Sequence, residues 1–219
     1  VQKRLIKKAR AMNRGIITAT QMMESMIENH IPTRAEVFDV ANAVIDGTDA
    51  VMLSAETSIG KYPEKVVEAM ARICTETEKA RGSVGADYRI GQEFADIDET
   101  IAMSTMYAAN HLNVKAIVAL TETGSTTKWM SRTRSSIPIF AFTRTAKTCR
   151  RVTLFRGVYP FLYDITHSDY LEANKEMIDV LKAHNAVKDG DIVIITKGDL
   201  KGHQGGTNNM KIVKVGELV

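Results

Sequence analysis

The sequence lacks any run of eighteen apolar residues, so it contains no candidate for a transmembrane helix. Its basic amphipathic start, residues 2–13, lacks the apolar stretch of a signal peptide, and its lysine-rich register fits a surface helix better than a transit peptide. Cysteine is also scarce. Cys74 and Cys149 are the only two, and because each falls in a predicted helix, we expect no disulfide between them. Together these absences predict a cytoplasmic protein without membrane association.

Patterns typical of metal and nucleic-acid binding are missing as well. The five histidines are scattered and no Cys-x-x-Cys or His-x-x-x-His spacing occurs, so we expect no structural zinc. The net charge of +3 hides an uneven distribution, because residues 128–156 contain eight Lys or Arg and no Asp or Glu. Such a segment favours an anionic partner. Since the aromatic residues and clustered arginines of nucleic-acid binders are sparse, we expect a phosphate ligand or an acidic protein face rather than nucleic acid.

The 219 residues are enough for one large core or two modest ones, and 44% hydrophobic with 25% charged residues describes an ordinary globular chain. The first part predicts a helix–strand–helix–strand–helix order with a βαβ unit at its centre. Thr33 and Glu36 have the spacing of a capping box, and Gly47 marks the end of that helix. The predicted elements are helix 2–13, with Leu5, Ala9 and Met12 as its apolar face, strand 15–20, helix 33–46, strand 49–53 and a helix from Pro63 whose buried stripe is Val66, Met70, Ile73 and Thr77.

The second part alternates in the same way and predicts an α/β sheet that is mostly parallel. A short glycine-rich loop before the last strand indicates that this strand returns antiparallel beside its predecessor. The predicted elements are helix 98–112, strand 115–120, helix 125–135, strand 138–142, helix 145–155, strand 157–162, helix 168–185, strand 191–197 and strand 210–215. Glycines between the two parts place the domain boundary there, giving domains 1–82 and 98–219 with a linker at 83–97.

Several long motifs resemble those of the pyruvate kinase family. These are ITATQM, PTRAE, DVANAV and DGTDAVMLS in the first part, then TETGSTT and GGTNNMKIVKV in the second. The resemblance implies that residues 1–82 are the last part of a TIM (β/α)8 barrel and that residues 98–219 are a separate α/β allosteric domain. Two strands cannot close a barrel, so we expect a fragment of a longer polypeptide. Alone, this fragment is expected to be inactive.

The resemblance also implies residue roles at the ends of the first two strands. Thr20 matches the family threonine that binds substrate and takes part in proton delivery, with Ser54 as its expected hydrogen-bond neighbour and Glu56 as a weaker substrate-pocket candidate. The alternative is that Thr18 and Thr20 are simply β-formers and that Ser54 is a turn residue. Arg34 and Asp39 lie on different sides of one helix, which in the family is a subunit contact, so the resemblance implies an inter-subunit role for them.

A loop after the strand at 115–120 has the composition of a phosphate cradle, since hydroxyls and a glycine precede a helix N-terminus. The same hydroxyls could serve only as helix caps. The resemblance identifies this loop with the family's allosteric phosphate loop, and a facing glycine-rich loop with its effector-covering loop. The two sets are Thr121, Glu122, Thr123, Gly124, Ser125 and Thr126, and Lys201, Gly202, His203, Gln204, Gly205 and Gly206.

The effector is expected to carry one phosphate. Family members that bind a sugar bisphosphate use a Trp and an Arg for the second phosphate, and residues 163–188 contain neither. We therefore expect a sugar monophosphate or AMP. The resemblance further implies phosphoenolpyruvate and ADP as substrates of the parent enzyme, Mg²⁺ and K⁺ as cofactors whose ligands are absent from this chain, and a homotetramer. The open alternatives are a stand-alone phosphate-binding module and an oligomerisation element.

Overall fold

The structure is a computed structural model that describes residues 1–81, 93–94, 96–133, 135–164, 170–199 and 206–217. The chain divides into two compact units, Val1–Gly82 and Ser83–Val219. Most of the predicted linker 83–97 lies outside the described residues. In the ranges that are described, no helix combines the length and apolar character needed to cross a bilayer.

The first unit contains a two-stranded parallel sheet surrounded by helices. Ile17 pairs with Ala50 and Ala19 with Met52, so the two strands run in the same direction in register. The elements are α1 (Gln2–Ala11), β1 (Ile17–Ala19), a 3₁₀ helix (Glu24–Ile27), α2 (Arg34–Asp46), β2 (Ala50–Met52), α3 (Ala55–Ser58) and α4 (Pro63–Arg81). The 3₁₀ helix and α3, four residues each, were not predicted from the sequence.

The capping residues predicted for α2 are confirmed. The Thr33 side chain accepts a hydrogen bond from the Glu36 backbone N–H, and the Glu36 carboxylate accepts one from the Thr33 N–H, which completes the capping box. Gly47 ends the helix in a left-handed conformation with φ of 94°, which a residue without Cβ adopts at little cost.

The core of the first unit lies between α2, α4 and the segment that follows β1. Methionines from that segment pack with aliphatic residues of both helices: Met22, Met23, Met26, Val40, Ala43, Val66, Ala69 and Met70. On the sheet, Ile17 and Met52 remain 50% and 44% exposed. Two apolar strands with exposed side chains agree with the expectation that they belong to a larger sheet.

The predicted apolar face of α1 is wrong. Leu5 and Met12 are 56% and 57% exposed, whereas Ile6 is buried and Arg10 is nearly so. The helix contacts α2, and Lys3 of α1 forms an ion pair with Asp46 of α2 at 3.7 Å. Counting apolar positions missed the face of Ile6 and Arg10 because Arg10 is a charged residue. An arginine can nevertheless bury its aliphatic stem while its guanidinium keeps polar contacts.

The second unit is a five-stranded sheet between two layers of helices. Its strand order is β5-β4-β3-β6-β7, with β7 antiparallel to β6 and all other neighbours parallel. The antiparallel return of the last strand is thereby confirmed. The elements are α5 (Ile97–His111), β3 (Val114–Leu120), α6 (Ser125–Arg132), β4 (Ile139–Thr143), α7 (Ala146–Val152), β5 (Val158–Leu162), α8 (Tyr170–Ala183), β6 (Ile192–Lys197) and β7 (Asn209–Lys214).

Both faces of this sheet are buried. Alternate residues of β3 illustrate the arrangement: Ile117 packs on the side of α5, α6 and α7, while Val118 packs on the side of α8. Both side chains are 0% exposed. Burial on two faces is what parallel strands joined by helices require, and it contributes about 1.5–3 kcal/mol for each large aliphatic side chain.

The turn from β3 into α6 depends on Gly124. Its φ is 79°, and an added Cβ would lie 2.5 Å from Cγ1 of Val152 in α7. Both the backbone conformation and the close approach of α7 therefore exclude a side chain at this position.

Replacing Ile6 with Ala tests the observed face of α1. We expect I6A to lower the free energy of unfolding by about 2–5 kcal/mol because it leaves a cavity. The matched control L5A should change it by less than about 0.5 kcal/mol, since Leu5 is exposed. Urea unfolding followed by circular dichroism measures both, and a larger loss for L5A would restore the face predicted from the sequence.

Replacing Gly124 with Ala tests the turn into α6. Gly157 provides the control, because it also has positive φ (71°) but no atom within 4 Å of an added Cβ. Both variants incur the strain of left-handed backbone, about 1–2 kcal/mol. Only G124A adds the clash, so its loss of stability should exceed that of G157A by about 1–3 kcal/mol in the same denaturation measurement. Equal losses would mean that α7 shifts freely away.

Candidate functional site

Two hydroxyl-bearing residues follow the parallel strands of the first unit. Thr20 comes directly after β1, and Ser54 comes two residues after β2. Because Ala19 and Met52 are partners in parallel strands, both residues leave the sheet at the same edge. Both side chains are exposed. This edge corresponds to the one where α/β folds place substrate sites.

The backbone at Thr20 is strained. Thr20 and Gln21 have φ of 74° and 53°, a left-handed conformation that is uncommon for any residue with a Cβ and a clear outlier for a β-branched one. The Thr20 hydroxyl donates to the carbonyl of Ala19 at 2.6 Å. The structure shows no hydrogen bond between the Thr20 and Ser54 hydroxyls, so the expected pairing of these two residues is not formed. Strain of this kind clusters at functional sites.

Glu56 lies behind this edge and not in it. Its side chain is 2% exposed. Oε1 accepts the backbone N–H of Met23 at 3.1 Å, and Oε2 accepts that of Ser54 at 2.7 Å. Burial raises the pKa of this carboxyl, but the hydrogen bonds from the backbone of Ser54, Glu56 and Met23 outweigh it, so the pKa lies below its usual value. The structure thus places Glu56 on backbone amides of both strand ends, where the sequence suggested a contact with substrate.

Glu36 fixes the other end of the segment after β1. Its carboxylate accepts the N–H of Ser25 at 2.7 Å and the Ser25 hydroxyl at 2.5 Å, besides the N–H of Thr33 at 2.7 Å. Burial raises the pKa of Glu36, and the Ser25 and Thr33 hydrogen bonds lower it by more, so the net direction is downward. The capping-box spacing predicted the Thr33 contact, but no sequence signal indicated Ser25.

Arg34 and Asp39 both lie on α2 with exposed side chains. Neither makes a hydrogen bond or ion pair with the part of the chain that the structure describes. Phe38 beside Asp39 is 64% exposed. These exposed side chains, on different sides of α2, are therefore available for contacts outside residues 1–81.

In the second unit, the candidate phosphate loop lies where the strand order changes direction. From β3 the chain continues to β4 and β5 on one side, whereas β6 and β7 lie on the other. The loops after β3 and β6 therefore begin at the carboxyl ends of two neighbouring parallel strands, the position of the crevice where open α/β sheets bind ligands. These are the two loops that the sequence singled out.

The hydroxyl groups of the loop after β3 form hydrogen bonds within the loop and with the neighbouring helix α5. Thr121 Oγ1 accepts the N–H of Gly124 at 2.9 Å, and Thr123 Oγ1 accepts that of Ser125 at 3.4 Å. Ser125 Oγ donates to Asp98 of α5 at 2.8 Å. Asp98 was not singled out from the sequence, because nothing in its local pattern indicates a partner 27 residues away.

Thr126 connects the two loops of the crevice. Its hydroxyl lies 2.7 Å from that of Thr207, and both side chains are buried. The backbone N–H groups of Thr126 and Thr127 lie in the first turn of α6, where N–H groups have no acceptor within the helix, and no side chain caps the helix at Gly124. Two such N–H groups at a helix N-terminus attract an anion.

Charged side chains surround the loop. Arg144 Nε contacts the Glu122 carboxylate at 3.1 Å, and Arg151 Nη1 donates to the Thr123 carbonyl at 3.4 Å. The Glu122 carbonyl accepts the Thr148 hydroxyl at 2.6 Å. The acid-free segment 128–156 thus contributes Arg144 and Arg151 directly to the loop.

Gly206, the last residue of the predicted covering loop, belongs to the described residues. Lys201, Gly202, His203, Gln204 and Gly205 lie outside the described residues. Gly206 approaches the start of the loop, because a Cβ added to Gly198 would lie 2.3 Å from the Gly206 carbonyl oxygen. The two ends of the loop are therefore close together beside the crevice.

The described residues contain no group of three or more His, Cys, Asp or Glu that could hold a metal ion.

Comparisons with known proteins agree on both units. Residues 1–67 match the family described as "Pyruvate kinase, barrel domain", and residues 99–213 match "Pyruvate kinase, alpha/beta domain". The predicted fold class, the last part of a TIM barrel followed by a separate α/β domain, is confirmed. Nothing in these matches supports the alternative of a stand-alone regulatory module.

Individual relatives extend the similarity along the chain. Pyruvate kinase II of Salmonella typhimurium is 50% identical over 216 residues, which cover 98% of this chain and 45% of the relative. The Haemophilus influenzae pyruvate kinase is 51% identical over 90% of this chain and 41% of its own length. A crystal structure of a pyruvate kinase from Cryptosporidium parvum superimposes with a TM-score of 0.88 at 36% identity, covering 97% of this chain and 42% of that one.

The chain spans about 45% of the length of the curated relatives it matches. The barrel match and the α/β match follow each other in the order that the motifs predicted, and the second alone covers more than half of the chain. The chain belongs to the pyruvate kinase family.

Proposed function

We propose that this chain is the C-terminal half of a pyruvate kinase that transfers a phosphoryl group from phosphoenolpyruvate to ADP, giving pyruvate and ATP. The observation that supports this most strongly is Thr20. The residue that matches the family's substrate-binding threonine lies in strained backbone at the carboxyl edge of two parallel strands, with its side chain exposed. A residue that served only as a β-former would sit within the strand in ordinary extended backbone.

Thr20 acts at the protonation step. After phosphoryl transfer, the enolate of pyruvate takes a proton at its methylene carbon, and the Thr20 hydroxyl relays that proton from water or from a neighbour that exchanges with solvent. Ser54, exposed at the same edge, is the proposed partner hydroxyl in this relay.

Phosphoryl transfer itself depends on charge neutralisation by cations. Mg²⁺ and K⁺, which the family uses, supply that neutralisation when bound. In this proposal their ligands belong to the other half of the enzyme. The residues of this chain bind and orient the substrate and move a proton at Thr20.

The second unit binds an effector that carries a single phosphate. In this proposal the phosphate binds at the first turn of α6, against the N–H groups of Thr126 and Thr127, and the resemblance implies Lys201 and His203 as further anion-binding residues. Residues 163–188, where family members that bind a bisphosphate carry a Trp and an Arg for the second phosphate, contain neither. A sugar monophosphate or AMP therefore fits better than a sugar bisphosphate.

The enzyme is a cytoplasmic homotetramer in this proposal. Arg34 and Asp39, exposed on α2 beside the exposed Phe38, form cross-subunit contacts. Such contacts would connect the edge at Thr20 in one subunit with its neighbour, which is how regulation could pass between subunits.

The activity is tested with Thr20→Ala in the full-length enzyme. Loss of a proton relay should lower kcat by about 10²–10⁴-fold with little change in the KM for phosphoenolpyruvate. Thr75→Ala, an exposed threonine on α4, is the matched control and should leave kcat unchanged. Pyruvate release measures all three proteins, and residues 1–219 alone should release none. A T20A enzyme with normal kcat would contradict the assigned role.

The effector site is tested by thermal denaturation of the purified chain. Ribose 5-phosphate, glucose 6-phosphate or AMP should raise the melting temperature more than fructose 1,6-bisphosphate does, because a ligand that binds the folded state stabilises it. Thr126→Ala should abolish the shift, whereas Thr153→Ala, an exposed threonine at the end of α7, should retain it. A preference for the bisphosphate would refute the single-phosphate assignment, and an unchanged response of T126A would move the site elsewhere.

A further inference from the structure

The strained backbone at Thr20 needs something to hold it. Left-handed conformations at Thr20 and Gln21 persist only when the surrounding structure determines them. The residues that follow are the anchors. Met22 is 4% exposed and Met23 is 0% exposed, and the Met23 N–H donates to Glu56 at 3.1 Å. Thr20 and Gln21 therefore lie between β1 and Met23, which is buried and hydrogen-bonded three residues beyond Thr20.

The second oxygen of the same carboxylate holds the other strand end. Glu56 Oε2 accepts the Ser54 N–H at 2.7 Å. One buried carboxylate thus joins the loop that carries Thr20 to the loop that carries Ser54, across 33 residues of sequence. Glu36 fixes the same segment further along, at Ser25 and Thr33, and does not contact either strand end.

The geometry points to Glu56 as a positioning residue for the reaction. It sets the Thr20 hydroxyl relative to Ser54 by holding the Met23 and Ser54 amides on its two oxygens, and it does not itself touch the substrate. This inference rests on the proposed function, because it gives Thr20 a proton to deliver. It differs from the expectation from sequence, in which Glu56 lined the substrate pocket.

A glutamine cannot replace the carboxylate in this arrangement. Its amide has one acceptor oxygen, and its NH₂ group would face a backbone N–H donor. Glu56→Gln therefore releases either the Met23 or the Ser54 amide. Glu56→Asp is shorter by one methylene, so it can still reach Ser54 two residues away but not Met23.

The test measures protonation directly in the full-length enzyme. Incubated with pyruvate in D₂O, the enzyme removes a methyl proton to form the enolate and returns a deuteron to the same carbon, which proton NMR follows as loss of the methyl signal. We expect E56Q to slow this exchange by about 10–100-fold, as displacement of a positioned group does, with the KM for phosphoenolpyruvate nearly unchanged. Glu28→Gln, on the same segment with an exposed ion pair to Lys61, is the matched control and should exchange normally.

A double-mutant cycle separates positioning from a general structural effect. If Glu56 acts through Thr20, the T20A/E56Q enzyme should exchange no more slowly than T20A alone. Additive losses, or normal exchange in E56Q, would overturn the inference while leaving the role of Thr20 intact. Normal exchange in T20A would instead remove the proposed proton relay, and the positioning role with it. Should E56Q fail to fold, E56D carries the test, and its normal exchange would equally overturn the inference.

Discussion

Parallel strand pairing is the constraint on which both units depend. Because parallel strands end at the same edge, the residues that follow β1 and β2 meet in the first unit, and the loops that follow β3 and β6 meet in the second. The backbone N–H groups of the segments that follow these strands must find acceptors, either within the chain or in a bound ligand. How each unit satisfies those groups determines what its edge can bind.

Sequence patterns predicted the elements well where local chemistry specifies them. A few neighbouring residues specify each of three features: the capping box of Thr33 and Glu36, the end of α2 at Gly47 and the antiparallel return of the last strand. The short helix of Glu24–Ile27 and the buried face of α1 were not found, because four residues carry no periodicity and a buried arginine imitates a polar face.

The contacts within the candidate sites could not be predicted from local sequence patterns, because they join residues that are far apart in the chain. Glu56 reaches Met23 across 33 residues, and Thr126 reaches Thr207 across 81. Motif resemblance named Thr20, Ser54, Glu56 and the loop around Thr126, but it could not say which atoms they contact. For Glu56 the contact changes the interpretation, since a carboxylate whose two oxygens hold amides is suited to positioning and not to meeting a substrate.

The carboxyl edges of the two sheets therefore differ in the backbone N–H groups that they offer to an anion. In the second unit, the N–H groups of Thr126 and Thr127 lie in the first turn of α6, where N–H groups have no acceptor within the helix, so an external phosphate can bind them directly. In the first unit, Glu56 already occupies the Met23 and Ser54 amides and stays ionised, since its pKa lies below the usual value. A negative charge behind Thr20 disfavours an anionic substrate unless cations offset it. The edge at Thr20 thus requires positive charge from outside it to bind an anion, whereas the edge at Thr126 offers backbone N–H groups of its own loop.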